Sequence, residues 1–265
     1  MDTYDDFCNR HAPKLFAELT FADAYVAQQL QSYAQRKNYD HILLYGPFGS
    51  AKTRTARVII AERQKALGIS NVMIEAYEAT YLKGNLDRIE NSVHLILACQ
   101  QQEDLQPYVL IEEVNELTKT DQLKLRSIIN TLPIGKLIMT TNHINCVDAG
   151  LISRCDKVEV LLPSPQQFLI RAKQIFAAEG VTDDDALLLT VMQAASTNSD
   201  QPDMRDIMRV LFQRVQYLRQ QTMLNVSTQL KNAPVAAGHL NPAALTSVHV
   251  QKTQMKLRSF RKKKP

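Results

Sequence analysis

The sequence has no long apolar run, no paired-cysteine motif and no internal repeat, and its last fifteen residues contain no acid. No apolar stretch approaches the ~20 residues that a membrane-spanning helix needs, so no membrane association is expected. The opening residues, Met1-Asp-Thr-Tyr-Asp-Asp-Phe7, are acidic and lack the apolar centre of a secretion signal. Cys8, Cys99, Cys146 and Cys155 form no C-x-x-C pair, and no histidine cluster accompanies them. Neither a zinc site nor a disulfide framework is therefore expected, and a reducing, intracellular compartment fits best. Without a repeat, length sets the domain number, and 265 residues suggest one or two.

What is present is ordinary in bulk, with 45% hydrophobic and 22% charged residues. The net charge of +4 is unevenly placed. Lys252, Lys256, Arg258, Arg261, Lys262, Lys263 and Lys264 supply seven cations, and once they are set aside the remaining charge is −3. The body is slightly acidic and the basicity belongs to the tail. Such a tail attracts nucleic-acid phosphates without sequence preference; a solvated end or a localisation signal has the same composition.

The chain is organised around His41-Ile-Leu-Leu-Tyr-Gly-Pro-Phe-Gly-Ser-Ala-Lys-Thr-Arg-Thr-Ala56. Ile42 to Tyr45 reads as a buried strand, Gly46 to Ala51 as a small-residue turn, and Lys52 onward as a helix through Val58, Ile59 and Ile60. Strand, turn and helix together make a phosphate site, because the turn's N–H groups converge on the anion beside a helix N-terminus. Lys52 reaches the β- and γ-phosphates and the Thr53 hydroxyl can ligate Mg²⁺. The pattern G-x-x-x-x-G-K-[ST] is broken at one point, where Ala51 stands for glycine and its methyl narrows the allowed dihedrals.

About sixty residues later comes Tyr108-Val-Leu-Ile-Glu-Glu-Val-Asn115, a short apolar run that delivers two acids to the edge of a sheet where ligands sit. Glu112 is placed to hold Mg²⁺ through water, and Glu113 to polarise an attacking water. Glu112 replaces the usual aspartate, and its longer reach to the metal is expected to slow turnover. Further strands are predicted at 71–75, 136–142 and 157–162, and helices at 22–36 and 86–99. Residues 5–20 are expected to be irregular around Pro13. Strands alternating with helices imply a parallel five-stranded α/β sheet with helices on both faces.

The character changes at Leu162-Pro-Ser-Pro165. Ser164, Pro165 and Gln167 form an N-cap, a first-turn proline and a capping box, with Gly180 ending that helix. Thr182 is expected to cap a second helix, Asp183 to about Ala195, and a third opens at Pro202 with Met204, Ile207, Met208, Leu211 and Val215 on one face. The periodicity degrades from about residue 220, and Asn232 to Pro242 reads as a linker. The expected division is an α/β nucleotide-binding domain at 1–162, a small all-helical lid at 163–218, and a linker with basic tail at 219–265.

These segments, in this order, resemble AAA+ ATPases of the clamp-loader group, in particular the small subunits of replication factor C, over roughly residues 9–217. Arg10 to Leu19, with Pro13, is similar to the family's adenine-enclosing opening segment. Gly46, Pro47, Gly49, Ser50, Ala51, Lys52 and Thr53 fall in its Walker A loop, and Glu112 and Glu113 in its Walker B strand. Gln122, Leu125 and Arg126 keep the family's spacing in the following helix. Asn142 falls at sensor 1, which orients the attacking water. Ser153-Arg-Cys155 resembles the signature whose arginine, here Arg154, serves a neighbouring subunit as an arginine finger. Asp203-Met-Arg205 resembles the lid signature that makes Arg205 sensor 2, although Pro202 stands where the family has glycine.

The resemblance implies ATP and Mg²⁺ as cofactors, other AAA+ subunits as partners, and DNA with a sliding clamp or another DNA-processing protein as the object. It implies a cytoplasmic, DNA-associated protein, nuclear if the source is eukaryotic. The 47 residues after position 218 are expected to be too few for the helical collar of clamp loaders. Three readings follow: a clamp-loader-like ATPase; a matchmaker of the transposition-regulator or helicase-loader kind; and a weakly active nucleotide-binding adaptor that lends Arg154 to an active neighbour.

Overall fold

The computed structural model describes residues 2–100, 104–132, 134–197 and 203–232. The helices and strands, in chain order, are α1 (Tyr4–His11), α2 (Ala24–Ala34), β1 (Ile42–Tyr45), α3 (Lys52–Lys65), β2 (Glu75–Glu78), α4 (Ala79–Leu82), α5 (Asp87–Gln100), β3 (Tyr108–Glu112), α6 (Lys119–Thr131), β4 (Lys136–Thr141), α7 (Ala149–Ile152), β5 (Asp156–Glu159), α8 (Pro165–Ala178), α9 (Asp185–Thr197) and α10 (Met204–Asn232).

The five strands form one sheet in the order β2-β3-β4-β1-β5, and every pairing is parallel. Side chains alternate across it. Leu43, Val109, Ile111, Leu137 and Met139 pack beneath α4, α5, α6 and α7. Ile42, Leu44, Leu110, Ile138 and Val158 pack beneath α2 and α3. A sheet buried on both faces requires strands that are nearly continuously apolar, and Ile42-Leu-Leu and Tyr108-Val-Leu-Ile meet that requirement. The expected five-stranded parallel sheet with helices on both faces is the one observed, with a helical region following it.

A third core lies in that helical region, where Phe168, Ala172, Ile175 and Phe176 of α8 meet Leu188 and Met192 of α9 and Ile207, Leu211 and Val215 of α10. The Ser164 cap, Pro165 and Gln167 open α8 as read, with both capping-box bonds present. The chain divides into one compact unit at 1–219 and a second at 220–265. In the second, α10 continues to Asn232. Among the described residues, no helix is long and apolar enough to cross a membrane. Pro202, the residues after Asn232 in the expected linker, and the basic tail lie outside the described residues.

Four local expectations are corrected. Residues 4–11 are helical, not irregular: Thr3 and Asp6 form a capping box, and Phe7 is buried in the third core, so a tertiary contact stabilises a short helix that periodicity does not reveal. The second strand starts at Glu75, because the Gln64 side chain has already bonded both the N–H and the C=O of Met73. The cap of α9 is Asp184, which accepts from Leu187 N at 3.1 Å; its neighbour Asp183 is committed to Arg214. Finally, α10 runs a dozen residues past the point where its apolar stripe fades, carried by good helix formers such as Gln220, Gln221, Met223 and Leu224.

Candidate active site

Because the strands are parallel, their C-terminal ends share one edge, and the turns after β1, β3 and β4 meet there. The turn after β1 is residues 46–51. Gly46 has φ +146°, and a Cβ there would lie 2.3 Å from the Val160 carbonyl oxygen, so only glycine fits. Gly49 has φ +67°, and its missing Cβ leaves room for the Asp203 carboxylate. Ala51 adopts φ +64°, ψ +21°, a left-handed conformation that glycine takes without strain. Position 51 thus takes a conformation that suits glycine, and the alanine bears it at a cost in strain.

Lys52 opens α3 and is only 6% exposed. Its ammonium is folded back on the loop, donating to Gly46 O at 3.0 Å, Pro47 O at 2.6 Å and Ser50 Oγ at 3.3 Å. Burial pulls its pKa down, while the carboxylates of Glu113 and Asp203 act in the opposite direction. Thr53 donates to Glu112 Oε2 at 3.3 Å, and Arg57, one turn further along α3, donates to Glu112 Oε1 at 2.8 Å.

Glu113 also sits at positive φ (+55°), which turns its side chain away from the strand direction set by Glu112. Three hydrogen bonds fix it there. Its N–H donates to Thr140 Oγ1 at 3.2 Å, and Asn142 Nδ2, just beyond β4, donates to both carboxylate oxygens at 2.7 and 2.8 Å. Phe48 of the loop packs edge-on against His143, so the first and fourth strand ends are in contact.

A cleft of about 410 Å³ joins these parts; Pro13, Lys52, Thr53, Glu113, Asn142 and Arg205 all line it. Arg205, whose side chain is 77% exposed, stands at its edge, 3.6 Å from Asp203 Oδ2. Arg154 is not brought into the cleft. It is exposed and donates to Gly150 O at 2.6 Å and Asn130 Oδ1 at 2.8 Å. Sequence reasoning placed Leu19 in the opening segment but missed Arg57 and the rest of the apolar wall, supplied by Phe21, Ile175 and Met208. The signal for Arg57 was its i+4 spacing from Thr53, which puts both side chains on one helix face.

Residues 42–162 match the family model "ATPase family associated with various cellular activities (AAA)". The fold is the AAA+ P-loop fold. Two mutants of Thermotoga maritima RuvB share it, with TM-scores of 0.57 and 0.56 and 21% identity, over 83% and 82% of this chain and 68% of those chains. Curated relatives include replication factor C subunit 2 of Saccharomyces cerevisiae, 22% identical over 71% of this chain and 56% of the relative. Others are subunit 3 from Oryza sativa subsp. japonica (26%; 64% and 46%) and small subunit 1 from Pyrobaculum islandicum (25%; 67% and 54%). The chain spans about half the length of the curated relatives it matches.

The residues suit a magnesium-bound nucleotide. Mg²⁺ prefers one or two protein oxygens and takes its other ligands from phosphate and water. The Thr53 hydroxyl, which lines the cleft beside Lys52, and the Glu112 carboxylate, 3.3 Å from it, are two such hard donors.

Proposed function

We propose that this chain is a clamp-loader-like AAA+ ATPase subunit, which uses ATP binding and hydrolysis to assemble a protein partner on DNA. The observation that carries the reading is the clasp of Glu113 by Asn142, facing Lys52 and Thr53 across one cleft. A carboxylate held by a neutral amide stays free to polarise water, and the amide fixes where that water stands.

In this reading the base lies against Pro13 and the apolar wall of Leu19 and Phe21. The phosphates follow the loop at Gly46, Pro47, Gly49, Ser50 and Ala51; its N–H groups, which Pro47 does not share, and the helix N-terminus favour an anion. A triphosphate draws Lys52 Nζ off the Gly46 and Pro47 carbonyls onto its own oxygens. Thr53 and Glu112 hold Mg²⁺, which when bound neutralises charge between the phosphates. Glu113 orients and polarises the attacking water, with Asn142 keeping both in line. Arg205 meets the γ-phosphate from the helical side, making residues 163–218 a lid on the domain at 1–162. Arg154, outward-facing on its own subunit, serves the cleft of a neighbouring AAA+ subunit as an arginine finger. The replication factor C relatives support DNA and a sliding clamp, or another DNA-processing protein, as the objects of this work.

Two observations favour a second reading, a nucleotide-binding adaptor with little turnover of its own: the strained Ala51, and the engagement of Glu112 by Arg57. One assay separates them. ATP hydrolysis by the purified chain is measured with and without primed DNA, beside Glu113→Gln. Turnover that rises with DNA and falls by about 10²-fold or more in the variant supports the ATPase. ATP binding without turnover supports the adaptor. Absence of ATP binding overturns both.

A further inference from the structure

Arg57 occupies a place where the phosphate-loop pattern asks for no charge. It lies on α3 four residues after Thr53, and the two side chains take one oxygen each of the Glu112 carboxylate, at 2.8 Å for Arg57 Nη2 and 3.3 Å for Thr53 Oγ1. The Arg57 side chain is 39% exposed. It lines the nucleotide cleft on one side and, on the other, a cavity of about 360 Å³ that reaches Tyr77, Tyr81 and Arg88. A guanidinium keeps its proton in any protein environment, and its planar fork matches phosphate oxygens as well as carboxylate oxygens. The metal end of the cleft therefore holds a permanent cation of its own, already paired with the carboxylate that the metal would use.

We infer that Arg57 is a built-in cation at the metal end of the nucleotide cleft. It neutralises Glu112, takes over part of the charge role of the divalent ion, and lets the chain hold a nucleoside triphosphate with little dependence on Mg²⁺. Without a metal, an unpaired carboxylate at this position repels the triphosphate through a partly desolvated space, where charge interactions are stronger than in water. Paired with Arg57, the carboxylate no longer does so, and the guanidinium can swing toward phosphate. The same pairing opposes metal binding, because Mg²⁺ competes with Arg57 for Glu112. This inference rests on the nucleotide reading above.

The test is equilibrium binding of a fluorescent ATP analogue to the full chain and to Arg57→Gln, each in Mg²⁺ and in excess EDTA. The wild type is expected to lose less than about fivefold in affinity when Mg²⁺ is removed, and Arg57→Gln to lose clearly more, because its Glu112 charge is bare. A wild-type loss above fivefold overturns the inference whatever the variant does. Equal losses in the two proteins, large or small, also overturn it. Failure of the wild type to bind in either buffer overturns the nucleotide reading, and this inference with it.

Discussion

Ala51 and Glu113 are two of only three non-glycine residues with positive φ among those described, and both border the cleft. An L-residue in this region costs about 1–2 kcal/mol through the approach of Cβ to the following carbonyl. Such conformations persist only where the surroundings enforce them. At Glu113 the enforcement is visible in the Thr140 and Asn142 hydrogen bonds. At Ala51 it comes from the turn itself, which must end β1 and start α3 within six residues. Ala51→Gly removes the strain and adds a smaller entropy cost in the unfolded chain. A net gain of about 1 kcal/mol, or about 2–4 °C in Tm for a domain this size, is expected in thermal denaturation. A lower Tm would show that Ala51 is not strained.

The helices depend on a charged joint as well as on their apolar core. Glu179, at the end of α8, is 4% exposed and accepts from His11 of α1, from Arg10 at 3.0 Å, and from Arg219 of α10. Burial pushes its carboxyl up, but the bonds from His11 and Arg10 outweigh this and hold it below its ordinary value of 4.5. Three helices distant in sequence thus meet on one carboxylate, beside a charged cavity of about 560 Å³. Glu179→Gln keeps the shape and removes the charge. A loss of about 2 kcal/mol is expected at pH 7 by urea denaturation, taken from charged hydrogen bonds and trimmed because both arginines are partly in water. A carboxyl whose folded pKa is lowered stabilises the fold above its unfolded value and loses that contribution as the pH falls through the folded one. The gap between wild type and variant should therefore narrow below pH 4.5; a gap independent of pH would assign the effect to packing.

For the whole molecule, the residue that tests the proposed assembly is Arg154. Eight of the cleft-lining residues expected from sequence lie on the walls of one chain: Pro13, Gly49, Ser50, Ala51, Lys52, Thr53, Glu113 and Asn142, with Arg205 at the edge. Arg154 is held outward by Gly150 and Asn130. If it serves a neighbour's γ-phosphate, ATP should drive association through that contact. Sedimentation velocity with a slowly hydrolysed ATP analogue is expected to show the wild type in large species and Arg154→Ala near the monomer mass. Equal sedimentation of the two would remove the arginine-finger role.

Local chemistry made much of this legible in advance. A strand of three buried aliphatics followed by glycine, lysine and threonine specifies its own turn. An apolar run ending in two acids specifies a strand that reaches a sheet edge. Ser164, Pro165 and Gln167 specify a helix start. These signals work because turns, caps and periodicity are settled among residues a few positions apart. The sequence alone therefore determined the alternation of strand and helix, the phosphate loop and the acids at the end of β3. The helix at residues 4–11, the late start of β2, the clasp between Glu113 and Asn142 and the Arg57–Glu112 pair were left to the folded chain. Each of these joins groups brought together by packing or strand order, 55 residues apart in the case of Arg57 and Glu112. Side-chain identity states which bonds such groups are able to make; only the closed sheet, with β3 and β1 on either side of β4, decides which of them are made.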